Sequence, residues 1–553
     1  MLFRSLTGSS ALTFAANLLT TPSLNLSSVV APKSLLVNSS GNVQPHQTFN
    51  VKAYGATGNA KMVTDAVFTN GSTTVTCADC NFTSADLGKV VWGTGSGFIH
   101  LPKGTIAVVT NSTTITVSVA ALADGTGRYM AWGTDDTAAL QSASAAASLA
   151  HGTIYVPTGG YIFSSLPFNF NAVDPAPGIV GDGPTATVFY PTTDYDFSST
   201  STQNGMLVRY VNATHGRLSN FSINGVGYNR YGQSNYFALM LGSNFGVNEN
   251  VTVQNIGGVG ACMAYIGNHT DNYAMHVTEC GNANSNTSIY GLYVSGGQNT
   301  FHGTTIANSA TGVPMVLLYQ VGKAVTDNYF RCFGCFFDEG SSSGQSNISV
   351  VDSPGDILFS GIMSYVGASQ VALTVDGTST NVKIRDSTLG NPGEQSAMTA
   401  LKVLSGGIAY VSNSVLNTAG GGFSINNAGT VYDMGGNTVT NTTGAGGLVL
   451  LKTAFNCSDG AGAAACGAAA AGSVVIDAGA TSVTVSSTSV TANSQILITE
   501  DSSLGTKLGA ITCNTALGRN YSITARTAAT SFVITTDATP VTNPSCLSYL
   551  VIN

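Results

Sequence analysis

Residues 132–143 read Trp-Gly-Thr-Asp-Asp-Thr-Ala-Ala-Leu-Gln-Ser-Ala and set two carboxylates, Asp135 and Asp136, at the head of a run of alanines. Carboxylate pairs cleave glycosidic bonds when they face each other across a set gap. Neighbours in a helix point about 100° apart and do not face each other. The spacing therefore predicts the start of a helix over 135–151. Thr134 or Asp135 caps it, the acids meet the positive end of its dipole, Leu140 and the alanines propagate it, and Gly152 takes the C′ position. Asp135 and Asp136 then satisfy free backbone N–H groups and do no chemistry.

The flanks of this helix are strands. "FNVKAYGATGN" (49–59) reads as a strand followed by a glycine-rich turn, and "GTIYVPTGGYIF" (152–163) as a second strand. Between them, about 63–131, short alternating runs such as "STTVTC" and "TTITVSVAAL" predict a small β insertion. From about 205 to 450, β-branched runs recur every 20 to 30 residues and end in Asn or Gly: "ENVTVQNIGG", "YAMHVTECGN", "NYFRCFGCFF", "DILFSGIMSY", "NVKIRDSTLG". That period, with almost no helix signal, predicts a solenoid whose turns stack on one another and whose ends need caps. Asn255, Asn308, Asn417 and Asn441 suit the bends, because Asn tolerates the left-handed region. The helix is placed to close the N-terminal end.

The expected domains follow. Residues 1–45 form a leader and linker, 46–134 the solenoid start with its insertion, and 135–455 the solenoid proper. A Gly/Ala-rich linker over 456–472 leads to a β-sandwich over 473–553, read from alternating strands separated by turn residues.

Composition narrows the class. Only 8% of the 553 residues are charged, against a norm of about 25%, yet 43% are apolar, so the chain folds and its surface is built from Ser, Thr, Asn and 65 glycines. A net charge of −8 with 19 Lys plus Arg argues against a nucleic-acid partner. No apolar run reaches the length of a membrane span. "MLFRSLTGSSALTFAANLLTT" reads equally as a poor secretion signal or as a disordered or strand-forming leader. Ten cysteines fall into local pairs: Cys77/Cys80, Cys262/Cys280, Cys332/Cys335, Cys457/Cys466 and Cys513/Cys546. The even number predicts disulfides and an oxidising, extracellular or surface location. Zinc held by "CADC" and "CFGC" is the alternative, with the two motifs about 250 residues apart and no nearby His pair.

"FNVKAYGATGN", "GTDDTAALQSA" and "GTIYVPTGGYIF" together resemble the N-terminal signature of the pectate-lyase superfamily, with its polygalacturonase-related enzymes and phage tailspikes. The resemblance implies an all-β chain: a right-handed, single-stranded parallel β-helix with an N-terminal capping helix, here followed by a β-sandwich. It implies a polysaccharide partner, but not one chemistry, since members include lyases, hydrolases and proteins that only bind. The signature is split here by about 70 residues. The Gly-His-Gly and paired strand aspartates of the polygalacturonases are missing, and "KIRD" (383–386) only loosely echoes their Arg-x-Lys.

Two chemistries suit such a face. Hydrolysis needs two carboxyl groups, and β-elimination from a uronate needs a base plus a group that neutralises the substrate carboxylate. Registering the repeats with Val251 and Val253 inward gives one outward column: Thr252, His276, His302, Arg331, Leu358, Lys383. The candidate acids and bases beside it are Glu279, Asp338 and Glu339. His302 and Arg331 are expected to assist catalysis, and His276 and Lys383 to read substrate charge. Tyr273, Tyr290, Tyr319 and Tyr329 are candidate stacking platforms. The plainer alternative pairs Arg331 with Asp338 or Glu339 on a solvated surface. No cofactor is expected, because calcium needs convergent oxygens and no carboxylate-rich loop stands out. A non-catalytic trimeric spike or adhesin that grips surface glycans is the second reading.

Overall fold

The computed structural model describes Leu36–Val37, Val43–Gln44 and residues 47–552 apart from 96–97, 194–203, 229–235, 257–260, 268, 281–289, 308–313, 320–328, 339–344, 368, 378, 380, 392–396, 418, 440–441, 444–446, 451–457, 460–463, 466–469, 507, 509–510 and 517. Two units divide the chain after Gln47. In the first, which spans the whole of the expected leader and linker, Leu36–Val37 pairs antiparallel with Val43–Gln44. The rest of the described chain belongs to the second.

That unit is built around a parallel β-solenoid. One coil runs through Tyr329–Phe333, Phe336–Asp338 and Ser346–Val351, and the next through Asp356–Ser360, Met363–Tyr365 and Val371–Val375. We call the first strand of each coil face one, the second face two and the third face three. Each pairs in parallel with its counterpart one coil on, as in Arg331 with Leu358 and Leu358 with Lys383. Faces one and two share a 22-stranded sheet, and face three forms an 11-stranded one.

The bend between faces one and two explains the sequence period. Gly303, Gly334, Gly361, Asp386 and Asn413 hold it in successive coils with positive φ, a region that Gly, Asn and Asp enter at least cost. Each N–H donates to the next coil: Gly334 to the Ser360 carbonyl at 2.9 Å, Gly361 to that of Arg385 at 3.0 Å. Alternate residues of every strand point inward. Phe330, Phe359, Ile384 and Val411 fill one continuous core with the face-three side chains of Val350, Leu373 and Leu401. Burial of that apolar surface is the main force holding the stack together.

Helix α1 (Thr137–Ala150) closes the N-terminal end by pressing Leu140, Ala143 and Ala147 onto Val51, Ile154 and Phe168. It begins two residues later than expected, and its left-handed closing residue is His151, φ 50°, rather than Gly152. The His151 ring is tied by Nδ1 to the Pro175 carbonyl at 2.9 Å, which holds the bend there. The inserted segment folds as a closed six-stranded barrel spanning Lys61–Phe68 to Gly125–Gly133. Its Trp92 and Ala131 pack on Ile162, Tyr190 and Val226 of the solenoid.

The C-terminal module is a pair of four-stranded sheets enclosing Val474, Ile476, Phe532, Ile534 and Leu547. It begins before residue 473. Ser458–Asp459 and Ala464–Ala465, within the expected linker, add a short parallel strand to each sheet. Disulfides join Cys77–Cys80, Cys262–Cys280, Cys332–Cys335 and Cys513–Cys546; the expected Cys457–Cys466 bond lies outside the described residues. None of the described helices is long and apolar enough to cross a membrane.

Candidate functional site

Every second residue of a face-one strand points outward, and stacking aligns these side chains into files along the coil axis. The pairing registers give two such files side by side. One runs Asp271, Thr300, Arg331, Leu358, Lys383, Tyr410, Tyr432, and the other Glu249, Tyr273, His302, Phe333, Ser360, Arg385. The single outward column expected from sequence is therefore not one file. Arg331 and Lys383 share the first, His302 lies in the second, and His276 lies on face two between Thr252 and Thr305. The left-handed residue inside each coil is the cause. It splits what reads as one strand into two, so an alignment by strand alone mixes the faces.

The charged centre of face one is Asp356. Its carboxylate lies 2.7 Å from Lys383 Nζ and 4.0 Å from the Arg331 guanidinium, and Asn381 Nδ2 donates to it at 3.4 Å. The Arg331 guanidinium also sits 4.6 Å from the centre of the Tyr329 ring, a cation–π contact that fixes the long side chain. The side chains of Arg331, Lys383 and Asp356 are 44%, 45% and 35% exposed, so water screens these pairs and they add little to stability. They are accessible to a ligand. Arg331 pairs with Asp356, which the sequence did not single out; among the described residues it makes no ion pair with Asp338.

In the second file the rings stack on one another. Tyr273 lies 4.8 Å from His302 at 8° between planes, and His302 lies 5.2 Å from Phe333 at 19°. Both faces of His302 are thus covered by rings. The stack leaves an outer face at each end, on Tyr273 and on Phe333. Arg385 follows two coils after Phe333, and its Nε donates to Ser360 Oγ at 3.0 Å.

The remaining predicted residues are dispersed. Asp338 points outward from face two, in file with Thr278, Ala307 and Tyr365. Glu279 is exposed at the end of a face-two strand, held at φ 53° by a bond from its N–H to the Ala307 carbonyl. Burial first, and then the Glu279 charge, raise the phenol of Tyr129 on the barrel above its usual value. Tyr319 belongs to face three, so it joins neither file, and Glu339 lies outside the described residues. Tyr290, half-buried, is also on face three.

Asp356, Phe333 and Arg385 are the additions that the structure makes to the candidate set. Their signal was present in "NYFRCFGCFF", "DILFS" and "KIRD". They occupy the same alternate outward positions as Arg331, Leu358 and Lys383, one step to either side. Among the described residues no three His, Cys, Asp or Glu side chains gather as a metal site requires.

No protein-family model and no curated protein matches the chain. Solved structures similar in chain course include the ORF18 protein of Geobacillus virus E2, at TM-score 0.43 and 13% identity over 72% of this chain and 61% of that one. The chain thus spans about three fifths of that protein's length. The Dettilon tailspike protein aligns at TM-score 0.40 and 12% identity, over 76% of this chain and 91% of that one. The A-module of the Azotobacter vinelandii mannuronan C-5 epimerase aligns at TM-score 0.36 and 14% identity, over 57% and 94%. The β-helix assignment itself rests on the parallel pairing registers of this chain.

Proposed function

We propose that the protein is a secreted or surface glycan-active β-helix protein that lays an acidic polysaccharide along face one and cleaves it by β-elimination. The observation that carries this reading is the outward cluster of Arg331, Lys383 and Asp356, flanked by Tyr329, in a chain poor in basic residues.

Elimination starts by removing the proton on the carbon next to a uronate carboxylate. That proton becomes acidic enough only when a cation neutralises the carboxylate. Arg331, with its long contact to Asp356, keeps donors free for such a group. Asp356, held in place by Lys383, takes the proton. The electron pair forms the new carbon–carbon double bond, and the glycosidic oxygen leaves and is protonated by water. Hydrolysis fits face one less well. Asp271 and Asp356 stand three coils apart, on the order of 14 Å at about 4.8 Å per coil, wider than a working carboxylate pair. Asp338 and Glu279 act in this scheme only if the glycan crosses the bend onto face two.

One observation favours the binding-only alternative, a trimeric spike or adhesin. The Asp356 carboxylate is already engaged by Lys383 at 2.7 Å, so it has to give up that contact to take a substrate proton. Incubation with polygalacturonate, alginate and neutral glucans separates the readings. Cleavage by elimination yields an ultraviolet-absorbing unsaturated end and hydrolysis yields reducing ends alone. Binding without either product leaves the adhesin, and neither binding nor product across the panel ends the glycan proposal.

A further inference from the structure

We infer that the notch over Ser360, between the open face of Phe333 and the guanidinium of Arg385, is a subsite for one sugar-acid residue, and that Arg385 is the side chain that recognises its carboxylate. This rests on the face-one reading above and names the residue that reads charge there.

The first observation is the interrupted ring stack. Along one file, three consecutive coils each present a flat ring, spaced 4.8 Å and 5.2 Å apart. At the next coil the ring is replaced by the hydroxymethyl group of Ser360, and the coil after that presents Arg385. Phe333 and Arg385 therefore start about 9.6 Å apart, two coil spacings, with only a small side chain between them. The beginning of face two is open beside this gap. Gly361 is exposed, and a Cβ at that position would meet only backbone atoms of Gly334, at 3.8 Å and 4.0 Å. Arg385 leans back toward Ser360, with Nε 3.0 Å from its Oγ, so the notch is bounded by the Phe333 ring on one side and the guanidinium on the other. A pyranose presents a flat set of C–H bonds that packs on an aromatic face, and Phe333 offers such a face toward Ser360.

The second observation is charge. Arg331 and Lys383 both lie against Asp356. Arg385 is exposed, and among the described residues no carboxylate lies within ion-pair distance of it; its partner is the neutral hydroxyl of Ser360, through Nε alone. The terminal nitrogens of the fork remain for an incoming anion. A guanidinium fork matches a carboxylate in two parallel hydrogen bonds, while Ser360 fixes its orientation. A neutral sugar would satisfy the notch but not the fork. The ligand class is thus a uronate residue of an acidic glycan, with its ring on Phe333 and its carboxylate on Arg385.

The experiment measures binding of polygalacturonate and of alginate to the full chain by calorimetry at low and moderate salt, with dextran as the neutral comparison. Arg385→Ala is expected to weaken acidic-glycan binding roughly tenfold or more and to flatten its salt dependence. Arg385→Lys should recover part of the loss, since it keeps the charge and loses the fork. Ser360→Phe should abolish binding by continuing the ring stack through the notch, without lowering the melting temperature. Arg331→Ala separates this subsite from the general reading. If Arg331→Ala weakens binding while Arg385→Ala and Ser360→Phe leave it at wild-type strength, the subsite is wrong and the face-one reading stands. If the wild-type chain binds neither polyuronate, or prefers dextran, both fall.

Discussion

Two carboxylates in this chain look alike in sequence and have opposite surroundings. Asp136, in the helix-start motif, is 2% exposed and accepts from Thr57 N at 2.7 Å, Thr57 Oγ1 at 3.0 Å and Gly58 N at 3.1 Å. Asp356, in an ordinary strand, stands half-open between two cations. The first ties together the two halves of the split signature, since Thr57 and Gly58 belong to the glycine-rich turn and Asp136 to the head of α1. Asp135 caps the helix start, its carboxylate accepting from Thr137 at N with 3.1 Å and at Oγ1 with 2.5 Å, and also lies 3.8 Å from Lys103 Nζ of the barrel. A buried acid surrounded by dedicated backbone donors holds structure. An acid whose partners are long, solvated side chains can exchange them for a substrate.

The largest effect that would break this contrast is on stability. Asp136→Ala removes the acceptor of two part-buried N–H groups and a hydroxyl and empties the buried site of the carboxylate, and is expected to lose about 2 kcal/mol in urea unfolding while the folded fraction keeps its glycan affinity. The pH dependence sharpens it. Burial raises the pKa of Asp136, the bonds from Thr57 and Gly58 pull it down, Asp135 pushes it up, and the net direction is upward. A group whose folded pKa lies above its unfolded one contributes most at low pH. The stability gap between wild type and Asp136→Ala should therefore narrow as pH rises from about 3.9 through the raised folded value. A gap that widens there would mean that the hydrogen bonds outweigh burial.

Asp356→Asn is the matching test on the other side. If Asp356 is the base, turnover on the cleaved polyuronate should fall by about a hundredfold or more. Unfolding stability should change by less than about 1 kcal/mol, because the pairs it breaks are screened. Turnover that persists would move the base elsewhere, with Asp338 on face two the next candidate.

The same contrast marks what could be read from the sequence. The solenoid was legible because its left-handed bends favour Gly, Asn or Asp at one point of the coil, as at Gly334, Gly361 and Asp386, although Ala274 holds the same bend in one coil. The lid helix was legible because few other stretches favour a helix. The outward files were not, because a two-residue period fits a strand equally well before or after the bend. His276 and His302 were thereby placed in one column although one lies on face two and the other on face one. Asp356 was missed for a related reason. A single aspartate at a strand's first position looks like a turn residue until the neighbouring coils bring Lys383 and Arg331 against it.

A smaller effect distinguishes the two cations beside Asp356. Lys383 is close to the carboxylate and holds it, whereas Arg331 is at the edge of contact. Arg331→Ala is expected to raise KM about tenfold with little change in kcat. Lys383→Ala should lower kcat more than it raises KM, because the base loses its orientation. Steady-state kinetics on one polyuronate reads both, and the reverse pattern would exchange the two roles.

The smallest effect belongs to His302. Its ring is covered on both faces, so removal costs two stacking contacts and about 1 kcal/mol of stability. Its value lies in what it does to binding. His302→Ala opens a second gap in the ring file, between Tyr273 and Phe333, with the same two-coil width as the notch over Ser360 but with no cation on either side of it in that file. If an open ring face were sufficient to hold a sugar, this variant would gain affinity for acidic and neutral glycans alike. If the Arg385 fork is what selects a uronate, its acidic-glycan affinity should stay within about twofold of wild type and its neutral affinity should not exceed it. Calorimetry on the single variant therefore tests whether shape or charge governs face one, at a position where neither the fold nor the proposed chemistry depends on the side chain removed.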